Sequence, residues 1–253
     1  MTQENLNILS QEEMKQLQRE AEQSNAEAQG TLGDYYYHGL GVEIDAKAAI
    51  YWWTKAAEQN NLDALRVLGL CYFHGEEVEQ DHKQAERLWK KAAELGDPEA
   101  QYYLGKYYSK EQDYAQAVPW LQRAAEQKHL YAQCSLADCY YLGKGVEQDY
   151  KQAVCWLKKA AEQDVAWAQC NLGHCYENGL GVEKNIKEAI LLYRKSALQG
   201  HDCGQYNLAE CYNKGNGVKQ NMEQAIHWYT LSAKQGYEKA QKALEQLTAN
   251  AKH

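Results

Sequence analysis

The chain has one phenylalanine and two prolines, Pro98 and Pro119, among 253 residues. That scarcity of proline excludes a proline-rich linker or an extended disordered chain. Positive charge is also short: 27 Lys and Arg stand against 35 Asp and Glu, a formal charge of -8. No run of basic residues stands out, so no nucleic-acid partner is expected, because phosphate binding needs a positive stripe. No stretch approaches the ~20 consecutive apolar residues of a membrane span, and no membrane insertion is expected. Residues Met1 to Ser10 have neither the basic start nor the apolar run of a secretory leader, so the chain reads as cytoplasmic, with an exported mature form as the alternative. Nucleophile elbows, phosphate loops, zinc-protease helices and paired CxxC ligands are all missing. No catalytic residue and no cofactor is expected.

What the chain does have is a period. The segment Ala28-Gln29-Gly30-Thr31-Leu32-Gly33 finds its frame again at Ala64, Ala100, Ala132, Ala168, Gly204 and Ala240, in steps of 36 except for a step of 32 between Ala100 and Ala132. A fixed period of this size marks a solenoid whose units bury their apolar faces only against their neighbours. Within a unit, Ala132, Leu136, Cys139 and Tyr140 fall at helical spacing; Gly143 to Val146 then break the helix. Asp149 offers an N-cap oxygen to a second helix whose stripe runs through Ala153, Trp156, Leu157, Ala160 and Ala161. Each unit is a helix-turn-helix hairpin. Gly33, Gly69, Gly105 and Gly173 share a mid-helix position, which implies a close backbone approach that compensates the ~1 kcal/mol cost of helical glycine.

Of the eight cysteines, Cys71, Cys139, Cys175 and Cys211 occupy one frame position. Recurrence at one place is a packing pattern rather than a pairing pattern, since equivalent positions on stacked helices lie ~9 Å apart, beyond disulfide reach. Reduced, structural thiols are expected.

The first unit reads Ala28-x3-Leu32-Gly33-x2-Tyr36-x2-Gly39-x-Gly41-Val42, followed by Asp45, Ala49, Trp52 and Ala56-Ala57. This pattern resembles the Sel1-like repeat family, relatives of the tetratricopeptide repeats. The resemblance implies an all-α, right-handed superhelical solenoid: six repeats over residues 26–237, the third shortened to 32, between caps over residues 1–25 and 238–253. Unit three, at Tyr107 to Asp113, lacks the Gly-x-Gly-Val turn, and unit two carries Glu76-Glu77 where the second turn glycine is expected.

By analogy with tetratricopeptide arrays, first helices line a concave face. Its variable positions include Asp34, Tyr37, Arg66, Phe73, Tyr102, Lys106, Tyr141, Tyr206 and Glu210. Aromatics mixed with both signs of charge suit capture of a peptide or protein segment. The resemblance implies an adaptor, in bacterial signalling, host contact or toxin neutralisation. Two alternatives remain. Some cysteine-rich relatives are similar to β-lactam-binding or β-lactam-hydrolysing proteins, though they pair cysteines across the helices of a unit and this chain does not. Cys134 and Asp138 lie four apart on one first helix and Cys170 and His174 take equivalent places on the next, so a metal-responsive adaptor is the other alternative. His38 and His74, at the ends of adjacent first helices, read as solvated groups near a helix C-terminus.

Overall fold

The structure, a computed structural model, describes residues 9–250. Residues 1–8 of the expected first cap and 251–253 of the last lie outside it. The chain divides between His129 and Leu130 into two compact units. The first holds α1 (Gln11–Glu22), α2 (Ala26–His38), α3 (Ala46–Glu58), α4 (Leu62–His74), α5 (His82–Glu94), α6 (Pro98–Lys110) and α7 (Tyr114–Glu126). The second holds α8 (Leu130–Leu142), α9 (Tyr150–Ala161), α10 (Ala166–Asn178), α11 (Ile186–Leu198), α12 (Asp202–Lys214), α13 (Met222–Lys234) and α14 (Glu238–Asn250). There is no strand among the described residues. In each unit consecutive helices pack as antiparallel pairs, the architecture of an α-solenoid.

Local chemistry sets the helix ends. Asn25, Asn61 and Asp97 cap α2, α4 and α6, while Asp45, Asp81, Asp113, Asp149, Asn185 and Asn221 cap the second helices. Each of these oxygens accepts a backbone N–H that the helix itself leaves unpaired. Within a hairpin, the N–H of the second helix's cap donates to the carbonyl of the frame tyrosine, as Asp45 does to Tyr36 at 3.0 Å and Asp149 to Tyr140 at 2.9 Å.

The short third repeat keeps this closure. Asp113 N–H donates to the Tyr108 carbonyl at 2.9 Å, and both helices keep 13 residues. The missing residues therefore come from the turn alone. In the second repeat, Glu77 takes the backbone conformation of the absent glycine, with φ 59°. An L-residue there carries a cost of ~1 kcal/mol, so Glu77→Gly is expected to raise stability by roughly 0.5–1 kcal/mol. A urea midpoint that falls instead would show that the Glu77 side chain outweighs its backbone.

A row of buried glutamines stitches neighbouring helix pairs. Gln29 donates to the carbonyl of Ala21 at 2.9 Å and accepts from Gln59 Nε2 at 2.8 Å. Gln101 repeats this with Ala93 at 3.1 Å and Gln127 at 2.9 Å. Gln205 does so with Ala197 at 3.4 Å and Gln235 at 2.9 Å. Where the second repeat has Leu65, the carbonyl of Ala57 is taken by Lys91 Nζ at 2.9 Å instead. A buried amide must be paired at both ends to be tolerated, and these are.

Candidate partner-binding face

The mid-helix glycines lie chiefly against side chains, and the expected backbone approach is seen at Gly105 and Gly173, where the carbonyls of Ala117 and Ala189 lie 3.4 and 3.2 Å from the Cβ position. A Cβ on Gly33 would fall 2.5 Å from Trp53 Cδ1, one on Gly69 2.2 Å from Trp89 Nε1, and one on Gly173 2.8 Å from Tyr193 Cδ1. The residue beneath the first helix is thus the fourth after the frame alanine (Trp53 after Ala49). Trp52, the third, is only partly buried. Both positions fit an amphipathic stripe; the helix crossing decides which one enters the seat.

These buried rings also fix the polar groups of the first helices. Trp53 Nε1 donates to Asp34 Oδ1 at 2.9 Å, and Tyr193 Oη to Glu177 at 2.7 Å. Trp89 Nε1 donates to the carbonyl of Arg66 at 3.3 Å. Tyr229 Oη donates to Glu210, which also pairs with Lys214. Burial raises the Asp34 carboxyl above its ordinary value, and the indole hydrogen bond opposes this.

In the first unit, Asp34 and Tyr37 come together. With His38, Trp53, Val67, Leu70, Cys71 and Glu76 they line a hollow of about 190 Å³ between α2 and α4. Tyr37 packs on Trp53 with ring centroids 5.3 Å apart. Phe73 lies one repeat on, at the centre of a second cluster: His82 stacks on it at 4.9 Å, Trp89 is at 5.4 Å, Tyr107 at 6.4 Å, and Lys110 Nζ lies 5.1 Å from its ring centre. Tyr102 stacks on His129 at 4.7 Å, and Lys106 is exposed. Arg66 stands apart in character. Its guanidinium pairs with Asp63 and, at 3.0 Å, with Asp97, and its side chain is only 17% exposed against 7% for Asp97.

In the second unit, α10 packs directly on α12, while no comparable contact joins α9 to α11 or α11 to α13 among the described residues. Direct packing of first helices to this extent is confined to α10 and α12 among the described residues of the unit. Tyr141 meets His174, its hydroxyl 3.2 Å from Nδ1. Tyr206 lies between Tyr229 and Tyr237, with centroids 5.7 and 5.3 Å away.

Cys134, Asp138, Cys170 and His174 do not gather. Asp138 pairs with Lys144 at 3.8 Å, His174 faces Tyr141, and the Cys170 sulfur accepts from Asn207 at 3.4 Å. Among the described residues, no group of three or more His, Cys, Asp or Glu side chains is placed to hold a metal ion. The eight cysteines are free thiols. Burial pushes Cys71, Cys139 and Cys175 up to about 11 and Cys211 up to about 12. No helix of the described residues is long and apolar enough to cross a membrane.

Helix pairs with a glycine seat, a Gly-x-Gly turn and an acidic cap define a class, the short-repeat α-solenoids. The Sel1 repeat model matches residues 26–61, 62–97, 98–129, 130–165, 168–201 and 204–237, and the chain belongs to this family of interaction scaffolds. Among solved structures it is similar to a protective antigen of uropathogenic Escherichia coli with an SLR fold, at 42% identity and a TM-score of 0.85. That match covers 90% of this chain and 50% of the antigen, so the chain spans about half the antigen's length. A Sel1 repeat protein from Oxalobacter formigenes is 32% identical with a TM-score of 0.70, over 83% of this chain and 86% of that one. No curated protein matches the chain.

Proposed function

We propose that the chain is a non-catalytic scaffold that captures a segment of a partner protein on its first-helix face, with the α2–α4 hollow as the anchoring point. The hollow carries the reading. Its apolar walls, Trp53, Val67 and Leu70, can take an apolar side chain, while Asp34 and Glu76 at its edge favour a neighbouring cation on the ligand. The Phe73 cluster one repeat on extends the surface with rings that lose little conformational freedom on binding. Arg66 is left out of this reading, because its charge is already spent on Asp63 and Asp97.

The test is affinity capture from the cell that makes the protein, followed by titration of the captured partner against wild type and Tyr37→Ala/Glu76→Lys. A partner held by wild type and weakened at least ~10-fold by the double variant supports the hollow as the anchor. Equal affinity for both proteins moves the site elsewhere and overturns the reading. Circular dichroism spectra that coincide exclude unfolding as the cause.

A further inference from the structure

Two thiols of adjacent first helices meet in the second unit, whereas the α2–α4 hollow belongs to the first. Cys170 is 2% exposed on α10, and Cys203 is half-buried on the first turn of α12. One amide nitrogen touches both: Asn207 Nδ2 lies 3.4 Å from the Cys170 sulfur and 3.6 Å from that of Cys203. Tyr237 Oη donates to the Cys203 sulfur at 3.7 Å, so the two thiols adjoin across one shared amide. We propose that Cys170 and Cys203 form a peroxide-sensitive dithiol, a modification site that closes into a disulfide between α10 and α12.

The surroundings divide the roles. Two donors converge on Cys203, the hydroxyl of Tyr237 and the amide of Asn207, with the Cys170 thiol alongside. The adjoining Cys170 thiol lowers the Cys203 thiol below its ordinary range, and the Tyr237 hydroxyl and Lys239 add to this, while burial and Asp202 oppose it. Cys170 moves the other way, because it lies beside Cys203 and is buried. Cys203, the more exposed sulfur and the one that accepts from Tyr237, is therefore the attacking thiolate, and the buried Cys170 is the resolving thiol. The thiolate attacks one oxygen of a hydroperoxide, the O–O bond breaks and the other oxygen leaves as an alkoxide or hydroxide that takes a proton. Cys203 becomes a sulfenic acid. The sulfur of Cys170 then attacks that of Cys203; the S–S bond forms, the S–O bond breaks, and the proton of Cys170 leaves with the hydroxyl as water. Two electrons pass from the thiol pair to one peroxide. The exposed Cys155 makes no such cluster and serves as the internal reference.

The experiment treats the full reduced chain with limiting hydrogen peroxide and maps it by non-reducing digestion and intact mass. Expected are a mass lower by two hydrogens, a cross-linked peptide pair containing Cys170 and Cys203, and reversal by dithiothreitol. Oxidation at Cys203 is expected to be at least ~10-fold faster than at Cys155. Cys203→Ser and Cys203→Ala should abolish the two-hydrogen loss, and Cys155→Ser should keep it. A wild-type map with no Cys170–Cys203 link, or with Cys155 oxidised first, overturns the proposal without reference to any variant.

Discussion

Replacing Arg66 by methionine should cost the protein about 3 kcal/mol, although the residue occupies a variable position of a first helix. The reason is Asp97, whose side chain is 7% exposed and whose nearest cation is the Arg66 guanidinium at 3.0 Å. Methionine keeps the bulk and removes the charge, leaving a buried carboxylate with its backbone donors alone. One of those is the N–H of Ala100 at 2.7 Å, which Asp97 accepts as the N-cap of α6. A second substitution separates charge from capping. Asn25 and Asn61 do the same work at the starts of α2 and α4, so Arg66→Met/Asp97→Asn should keep the cap, discard the unpaired charge and recover most of the loss. Urea unfolding of the two variants decides this. A single variant within about 1 kcal/mol of wild type, or a double variant no better than the single, would reduce the pair to a surface contact.

The second large effect is expected at Gly181. Its φ is 69°, and a Cβ there would fall 2.3 Å from both the carbonyl carbon and the oxygen of Tyr150. The turn of one repeat thus rests on the first residue of α9 in the repeat before it. Gly181→Ala adds the left-handed backbone penalty to a clash with rigid main chain, together about 2–4 kcal/mol. Gly200 is the control: its φ is 85°, yet nothing lies within 4 Å of the position its Cβ would take. Gly200→Ala should lose only the backbone part, about 1 kcal/mol. Equal losses in thermal unfolding would mean that the turn has room to move off α9.

The parts legible in the sequence were those written locally. Caps, turn glycines and the period need only a few neighbouring residues, and Asp149 is an N-cap for reasons present in the four residues around it. Contacts between repeats were less legible. Trp52 and Trp53 both suit an apolar stripe, and only the way α3 crosses α2 puts Trp53 under Gly33. Arg66 reads in the sequence as a partner-facing position because Asp97, which pairs with it, belongs to the start of the following helix pair. Asp34 and Tyr37 do share a hollow, but through Trp53 and the residues of α4, which the first-helix pattern alone does not name. Cys170 and Cys203 escaped notice because comparing equivalent positions finds only thiols a whole repeat apart. These two sit one helical turn short of it, the offset that lets adjacent first helices bring them together. Searching each period for residues displaced by three would have found the pair.

The glutamine row bears on how such an array can change in length. Most donors that close a seam belong to the later repeat and reach back to a main-chain carbonyl, which every sequence possesses, whereas Gln169 donates to the Asp164 side chain at 3.2 Å. Gln29 reaches Ala21, Gln101 reaches Ala93, and Lys91 reaches Ala57 on behalf of a repeat that has lost its glutamine. A repeat therefore brings most of its own fastening and asks little of its predecessor's side chains. A joint written mainly in backbone depends little on the neighbouring sequence, so repeats can be duplicated or deleted with few changes at the seam.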